Sequence, residues 1–287
     1  MSFDTILIPV DFRVNTDVAI RKALTLIGDT SPSIHLLHVP GVISTSSFGY
    51  YRYLSKYPFS SNAQQISEVK EKLEEWQRYI RKTRPDISVC CWITYNKSVE
   101  NAIIEKAKSI AADLIIIGKS SQHSLLPFLN TVVSSRIASQ TGTAVLTVKP
   151  GAMSNTFRTV VVPVGPKFPE KKISILNSLG DKFFIHVRLL ILAEKDDNPS
   201  QLQTSLFSIC RVLKNLSLNN FSYKILKSNT SGWDILNYCR KVNADLLIVH
   251  PESETRIGWL NKHISDELPV NSRTQILAVS QTDFSIV

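Results

Sequence analysis

The stretch ADLIIIGKS at Ala112–Ser120 sets the fold, because an unbroken apolar run ends in a glycine and a polar segment follows. A strand that is apolar on both faces is typical of the centre of a parallel sheet that helices cover on both sides. The same pattern returns 132 residues later as ADLLIVHPE at Ala244–Glu252. The chain is therefore predicted to contain two copies of one α/β unit.

Two further pairs of segments support the repeat. TILIPVDF at Thr5–Phe12 recurs as TVVVPVGP at Thr159–Pro166, and AVLTVKP at Ala144–Pro150 is echoed by QILAVSQ at Gln275–Gln281. The spacing falls from 154 residues for the first pair to 131 for the second, so the second copy lacks roughly 22 residues. The repeat thus has a fixed order of segments and one length difference.

The length difference and a linker define two predicted domains. Residues 1–150 form domain 1 and residues 157–287 form domain 2, joined by the Pro-, Gly- and Ser-containing segment Lys149–Phe157. The extra residues of domain 1 are assigned to an insertion at 41–61, which is rich in tyrosine and phenylalanine. We expect the insertion to fold back over its own domain or onto the other one. The alternative is a surface that stacks on bases or forms a protein interface.

Short β-branched runs alternate with helical apolar stripes in each copy. This alternation predicts two doubly wound α/β sandwich domains, each built on a five-stranded parallel sheet. Such sheets bind ligands beyond the carboxyl ends of their strands, where the strand order reverses. The strands predicted in the first copy are Ile6–Val10, Ile34–Val39, Ser88–Thr94, Leu114–Ile117 and Ala144–Val148.

Composition narrows the function classes. The 287 residues carry a net charge of +9 that is spread evenly over both halves, without the basic stripe expected of a nucleic-acid groove. No apolar run reaches the roughly 20 residues that span a bilayer, and the start of the chain has no basic segment before its apolar part. We therefore expect a cytoplasmic protein with no nucleic-acid or membrane partner. The four cysteines show no C-x-x-C spacing and are expected to be reduced structural thiols.

The repeated segments resemble the universal stress protein family, twice and in the family's order. The likeness rests on ILIPVDF, IHLLHV, AADLIIIG and AVLTVKP. It implies the doubly wound fold shared with adenine-nucleotide hydrolases, and an intramolecular pseudo-dimer of the two domains; assembly of two chains into a homo-oligomer stays open. Some members bind ATP, which makes ATP or AMP the candidate ligand of domain 1. The matching positions are Pro9 and Asp11 at the end of the first strand, Val39 at the end of the second and Gly118 as the first loop glycine after the fourth.

The rest of the family's phosphate loop departs from its pattern. An ungapped alignment puts Ser121, Thr131 and Val132 where ATP-binding members have two glycines and a hydroxyl residue. Those glycines let the backbone approach a phosphate closely, and a Cβ there obstructs it. Moving the alignment by one deletion would instead set Asn130 and Thr131 on the family's Gly and Ser, and asparagine tolerates positive φ. Domain 1 is thus predicted to hold either a degenerate nucleotide site or one rescued by Asn130.

Domain 2 is predicted to have lost the site. Gly165 stands where Asp11 stood, His250 replaces the loop glycine, and the following loop places Ser253, His263 and Ile264 at the phosphate positions.

No catalytic or metal site is predicted. GKS at Gly118–Ser120 lacks the earlier glycine of a P-loop. His35 and His38 lie three apart on one strand and cannot share a metal, and His123 is read as a solvated loop residue. Asp11 has an alternative role as a helix-start cap. The expected function is a non-enzymatic binding or regulatory module of the stress response. An ATP-binding switch is the rival, and a weak nucleotide hydrolase is the rival from another class.

Overall fold

A computed structural model describes most of the chain. The described residues are 3–40, 62–95, 98–119, 133–152, 156–165, 168–192, 199–226, 232–251, 256–257, 262–263, 268–269 and 272–280. The insertion at 41–61 and the loop residues Ser121, His123, Asn130, Thr131 and Val132 lie outside them.

The first half of the chain folds as the alternating pattern predicts. Each of the first four strands is followed by a helix, and strands β4 and β5 are buried at every position because helices cover both faces. The elements are β1 Thr5–Pro9, α1 Val14–Leu26, β2 Ser33–His38, α2 Asn62–Thr83, β3 Ser88–Ile93, α3 Val99–Ser109, β4 Leu114–Gly118, α4 Ser134–Thr141 and β5 Ala144–Val148.

The second half repeats this order as far as β9, after which its described residues contain a hairpin but no helix before the last strand. The sequence predicts a loop after the strand equivalent to β4, whereas the structure has a short antiparallel hairpin there, with Arg256 paired to His263. The elements are β6 Thr159–Val164, α5 Glu170–Gly180, β7 His186–Leu192, α6 Pro199–Asn215, β8 Phe221–Leu226, α7 Gly232–Lys241, β9 Leu246–Val249, β10 Arg256–Ile257, β11 Lys262–His263 and β12 Gln275–Ala278.

The two halves share one continuous sheet. Its ten strands run in the order β3-β2-β1-β4-β5-β12-β9-β6-β7-β8, with five parallel strands from each half. The joint is the antiparallel pair β5 and β12, in which Thr147 faces Ile276 and Val145 faces Ala278. Because the joint is antiparallel, the strands of the two halves end at opposite edges of the sheet.

The repeated aspartate of the ADL segments has the same role in both halves. The carboxylate of Asp113 accepts hydrogen bonds from the backbone N–H groups of Asp4 and Thr5, at 3.1 and 2.8 Å. Asp245 accepts from the N–H groups of Arg158 and Thr159, both at 2.9 Å. Asp113 thereby ties the start of β4 to the start of β1, and Asp245 ties the start of β9 to the start of β6.

Side chains also connect the halves below the sheet. The ammonium of Lys182 donates to the carbonyl oxygens of Leu26 and Ile27, which end helix α1 in the other half. Such a cation satisfies carbonyl groups that a helix C-terminus leaves without partners. Lys22 of α1 lies 4.7 Å above the ring of Phe157. One buried apolar cluster on this face contains residues of both halves.

None of the helices in the described residues has the length and apolar character needed to cross a membrane.

Candidate functional site

The turn after β1 is held by Asp11. Its Oδ1 atom accepts hydrogen bonds from the backbone N–H of Arg13 at 3.1 Å and from the hydroxyl of Thr16 at 3.0 Å. The backbone N–H of Asp11 donates to the same hydroxyl at 3.2 Å. Arg13, the residue that precedes α1, makes no side-chain capping bond. Asp11 instead holds the turn before the helix, through the N–H of Arg13 and the hydroxyl of Thr16 in the first turn. The structure therefore shows the structural role that the sequence offered as one of two for this carboxylate.

His38 locks the ends of β1 and β2 together, which the sequence analysis missed. Its Nδ1 atom lies 2.9 Å from the carbonyl oxygen of Val10. That oxygen can only accept, so Nδ1 carries the proton. The imidazole packs against Phe12 with ring centroids 4.7 Å apart. Burial lowers the pKa of His38, although its hydrogen bond to Val10 and the charge of Asp11 oppose the change. A polar residue at the last position of a buried strand was the available signal.

Pro9 and Val39 take the predicted places beside this histidine. Pro9 is the last residue of β1 and pairs with Leu37 of β2. Val39 follows β2 and is buried, at 7% exposure. Pro9, Asp11 and Val39 therefore follow or end two neighbouring parallel strands on one edge of the sheet, as expected for a doubly wound domain.

Gly118 ends β4 at the same edge, and its lack of a side chain has a packing explanation. A Cβ atom placed there would lie 2.3 Å from the carbonyl oxygen of Asn15 and 2.8 Å from the Asn15 Cβ. Glycine is therefore required for the close approach of β4 to the first turn of α1, whether or not a ligand binds.

Beyond Gly118, the backbone of Lys119 donates to Val148 at 2.9 Å and extends the contact with β5. The predicted phosphate-loop residues Ser121, Asn130 and Thr131 fall in the undescribed segment.

A carboxylate occupies the start of α4, the helix that follows the candidate phosphate loop. Glu100 of α3 accepts from the backbone N–H of Val133 through Oε2 at 3.4 Å. Its Oε1 atom lies 3.0 Å from Nε of Arg136, and the Glu100 side chain is only 12% exposed. Helix starts attract anions because their first N–H groups are unpaired and carry partial positive charge. In this chain an internal anion already uses that position.

The corresponding edge of the second half is filled by its own side chains. His250, at the position of Gly118, is 6% exposed, and its Nδ1–H donates to the carbonyl oxygen of Val279 at 2.9 Å. The ammonium of Lys172, fully buried in α5, donates to the Pro163 carbonyl oxygen at 2.7 Å. Burial, reinforced by the charge of Lys172, lowers the pKa of His250 to about 4. A Cβ atom on Gly165 would meet no atom of the described residues within 4 Å.

The predicted phosphate positions of the second half are not brought to this edge by any described contact. Ser253 and Ile264 lie outside the described residues, and His263 is part of the β10–β11 hairpin. Among the described residues of the chain, no group of three or more His, Cys, Asp or Glu side chains could hold a metal ion.

Comparison with solved structures agrees with this fold. A universal stress protein from Archaeoglobus fulgidus superposes with a TM-score of 0.67 and 14% identity, covering 98% of this chain and 100% of the other. A protein of unknown function from Pseudomonas aeruginosa gives a TM-score of 0.56 and 13% identity, covering 97% and 92%. The cytoplasmic domain of a prokaryotic cation chloride cotransporter gives 0.51 and 12% identity, covering 96% and 95%. At these identities the likeness concerns the fold alone.

Sequence comparison identifies a family. No curated protein matches the chain. The model of the universal stress protein family matches residues 2–149, which is slightly more than half of the chain. The chain therefore belongs to the universal stress protein family.

Proposed function

We propose that this chain is a stress-response binding or regulatory module without enzymatic activity, whose first half keeps a degenerate adenine-nucleotide site and whose second half keeps none. The observation that carries the proposal is the Glu100 carboxylate at the start of α4. A triphosphate entering there would have to displace Glu100 from Arg136 and from the Val133 N–H, in a partly buried setting where charge interactions are weakly screened. Asp11 adds a second carboxylate to the same edge of the sheet.

The nucleoside side of the site is better preserved. Pro9, Asp11 and Val39 lie at the ends of β1 and β2, and Gly118 ends β4 beside them. We assign the remaining binding capacity to this side, with Ser121, Asn130 and Thr131 as the residues that would face phosphates. Adenosine and AMP are then expected to bind as well as ATP.

The second half acts in this proposal as a partner for the first half. Domain 1 spans residues 1–150 and domain 2 spans 157–287, and they pair within one chain through β5 and β12. His250 and Lys172 fill the edge at which a second nucleotide would bind. We place the protein in the cytoplasm, without a nucleic-acid or membrane partner.

Isothermal titration of adenosine, AMP and ATP with magnesium into the full chain tests the proposal. We expect ATP to bind no more tightly than adenosine, with dissociation constants of about 1 mM or weaker. Glu100→Gln removes the charge at the α4 start and should tighten ATP binding about tenfold without changing adenosine binding. Glu105→Gln is the matched control, because it removes one negative charge from the exposed side of the same helix.

Three results would contradict the proposal or its rivals. Micromolar ATP affinity that Asp11→Ala abolishes would replace the degenerate site with an ATP switch. The absence of binding by every nucleotide would exclude the switch and the residual site together. Phosphate release well above that of an Asp11→Ala control would establish the weak hydrolase.

A further inference from the structure

A cavity lies in the second half of the chain, away from the residues of the proposed nucleotide site. It has a volume of about 350 Å³ and opens between the C-terminal end of α7 and the segment that leads into β12. Its floor is apolar and buried. The floor residues are Leu236, Cys239, Ala244 and Leu268, with exposed fractions of 1, 1, 1 and 6%.

One cation is fixed at the rim of this cavity. The Nε atom of Arg273 lies 2.5 Å from Oδ1 of Asp245, a carboxylate that is itself 2% exposed. The other oxygen of Asp245 accepts two backbone N–H groups, so this carboxylate cannot turn away from its place. The Arg273 side chain is 53% exposed and uses one of its five N–H groups for Asp245. The other four remain available to a ligand, as judged over the described part of the chain.

A second arginine lines the cavity but points elsewhere. Arg240 donates through Nη1 to the side-chain oxygen of Asn237 at 3.1 Å, and its guanidinium lies 5.9 Å from the ring centroid of Trp233. Asn237 and Trp233 do not line the cavity. The guanidinium of Arg273 is therefore held at the cavity by the buried Asp245, whereas that of Arg240 is held by Asn237 and Trp233, outside the cavity.

We propose that this cavity binds a small amphipathic carboxylate, whose apolar body occupies the floor and whose carboxylate pairs with Arg273. A planar guanidinium matches a carboxylate through two parallel hydrogen bonds. A volume near 350 Å³ is at the lower end of the range for small-molecule sites, which suits a short alkyl or aryl chain. A phosphate monoester carries nearly two negative charges, whereas the charge of Arg273 is already shared with Asp245, so a singly charged carboxylate is the better match.

The floor adds no competing charge to the site. Burial raises the pKa of the Cys239 thiol to about 12, so this sulfur stays protonated and behaves as a small apolar group near neutral pH. The cavity shares no residue with the proposed nucleotide site, so each proposal can be tested independently of the other.

Methyl-labelled NMR of the full chain tests the proposal with octanoate as the probe. We expect saturable shifts confined to the methyl groups of Leu236, Ala244 and Leu268. 1-Octanol, which has the same chain without the charge, should bind about tenfold more weakly, and inorganic phosphate should leave these signals unchanged. ATP added to the same sample should also leave them in place.

Two arginine variants give a matched comparison. Arg273→Gln is expected to weaken octanoate binding about tenfold, and Arg240→Gln, with the same change in net charge, less than about twofold. If Arg273→Gln proves too unstable to titrate, Ala244→Val provides the alternative, because it fills the floor and should abolish the shifts while Asp245 and Arg273 stay paired.

The outcomes that overturn the site are specific. Shifts that are absent, or spread over surface methyl groups, would remove it. Equal losses in Arg273→Gln and Arg240→Gln would reduce the binding to general charge attraction. Equal binding of octanol and octanoate would remove the carboxylate from the assignment.

Discussion

The two halves of the chain form the same five strands in the same order, yet the ends of these strands differ. In the first half, Gly118 lets α1 approach β4 so closely that any side chain would collide with Asn15. In the second half, the equivalent position holds the buried imidazole of His250, and Lys172 reaches the end of β6. The comparison teaches that the strand interiors fix the frame, whereas the strand ends determine whether an edge stays open to a ligand.

The largest effect is expected at the feature that both halves share. Asp245→Ala should lower the free energy of unfolding by about 3 kcal/mol, because two backbone N–H groups and Arg273 lose their acceptor. Asp113→Ala should cost about 2 kcal/mol, since it removes two N–H contacts and no ion pair in the described residues. Urea unfolding measures both. An equal loss in the two variants would show that Arg273 adds nothing.

The free energy of unfolding should depend on pH through His250, whose counterpart in the first half, Gly118, cannot titrate. The pKa of His250 is about 4 in the folded chain, below the ordinary 6.5, so the unfolded chain takes up the proton first as pH falls. Stability should therefore drop between pH 6.5 and pH 4, by about 3 kcal/mol at most from this residue.

The variant His250→Gln isolates that contribution, because the other histidines titrate in both proteins. We expect the difference in unfolding free energy between wild type and variant to shrink as the pH falls through this window. A difference that stays constant from pH 7 to pH 4 would mean that the pKa of His250 is the same in the folded and the unfolded chain.

Adding one methyl group to a glycine at a strand end should have different effects in the two halves, although Gly118 ends β4 and Gly165 follows β6, the counterpart of β1. Gly118→Ala places a Cβ 2.3 Å from a backbone oxygen, and we expect a loss of about 2 kcal/mol as α1 shifts away. Gly165→Ala adds the same atom where no neighbour lies within 4 Å in the part of the chain that the structure describes, and should change stability by less than about 0.5 kcal/mol. Thermal and urea unfolding report both changes. Similar losses would indicate that the two edges pack alike.

The smallest effect is expected at the Asp11 turn. Asp11→Ala should cost about 1 kcal/mol, because the N–H of Arg13 and the hydroxyl of Thr16 lose their acceptor. Thr16→Val removes the hydroxyl that both donates to Asp11 and accepts from its backbone. The double variant should be more stable than the sum of the two losses predicts, by about 0.5 kcal/mol, because the two residues share one network. Strict additivity would mean that Asp11 acts without Thr16.

Much of the fold could be predicted because its signals are local. Runs such as Leu114–Gly118 are apolar on both faces, and their repetition predicts two copies of a five-stranded unit. The antiparallel joint of β5 and β12 could not be predicted in the same way. Both strands are as apolar as their parallel neighbours, and nothing in either segment specifies the direction of its partner.

The site could be predicted only in outline. Pro9, Asp11, Val39 and Gly118 follow from strand ends and from the family resemblance, and the structure puts them on one edge. Ser121, Asn130 and Thr131 stay predictions.

Glu100 could not be found because it meets the start of α4 across 33 residues of chain. For His38 the sequence showed a polar residue at a strand end, but not its contact with Val10 across 28 residues. Contacts of that range depend on how the helices settle on the sheet, which periodicity does not describe. The shared Asp113 and Asp245 did carry a signal, namely the same acidic residue before both copies of an apolar run.

Covalent linkage of the halves has a consequence for how the protein can evolve and be regulated. Two identical subunits that meet through one edge must accept every substitution twice, once on each side of the symmetry axis. In a single chain, β12 meets β5 at the effective concentration that a short linker provides, and one half can change without the other. Covalent linkage thus keeps the two halves paired at any protein concentration and frees them from having identical sequences. The chain is free to present two chemically different faces at a fixed ratio of one to one.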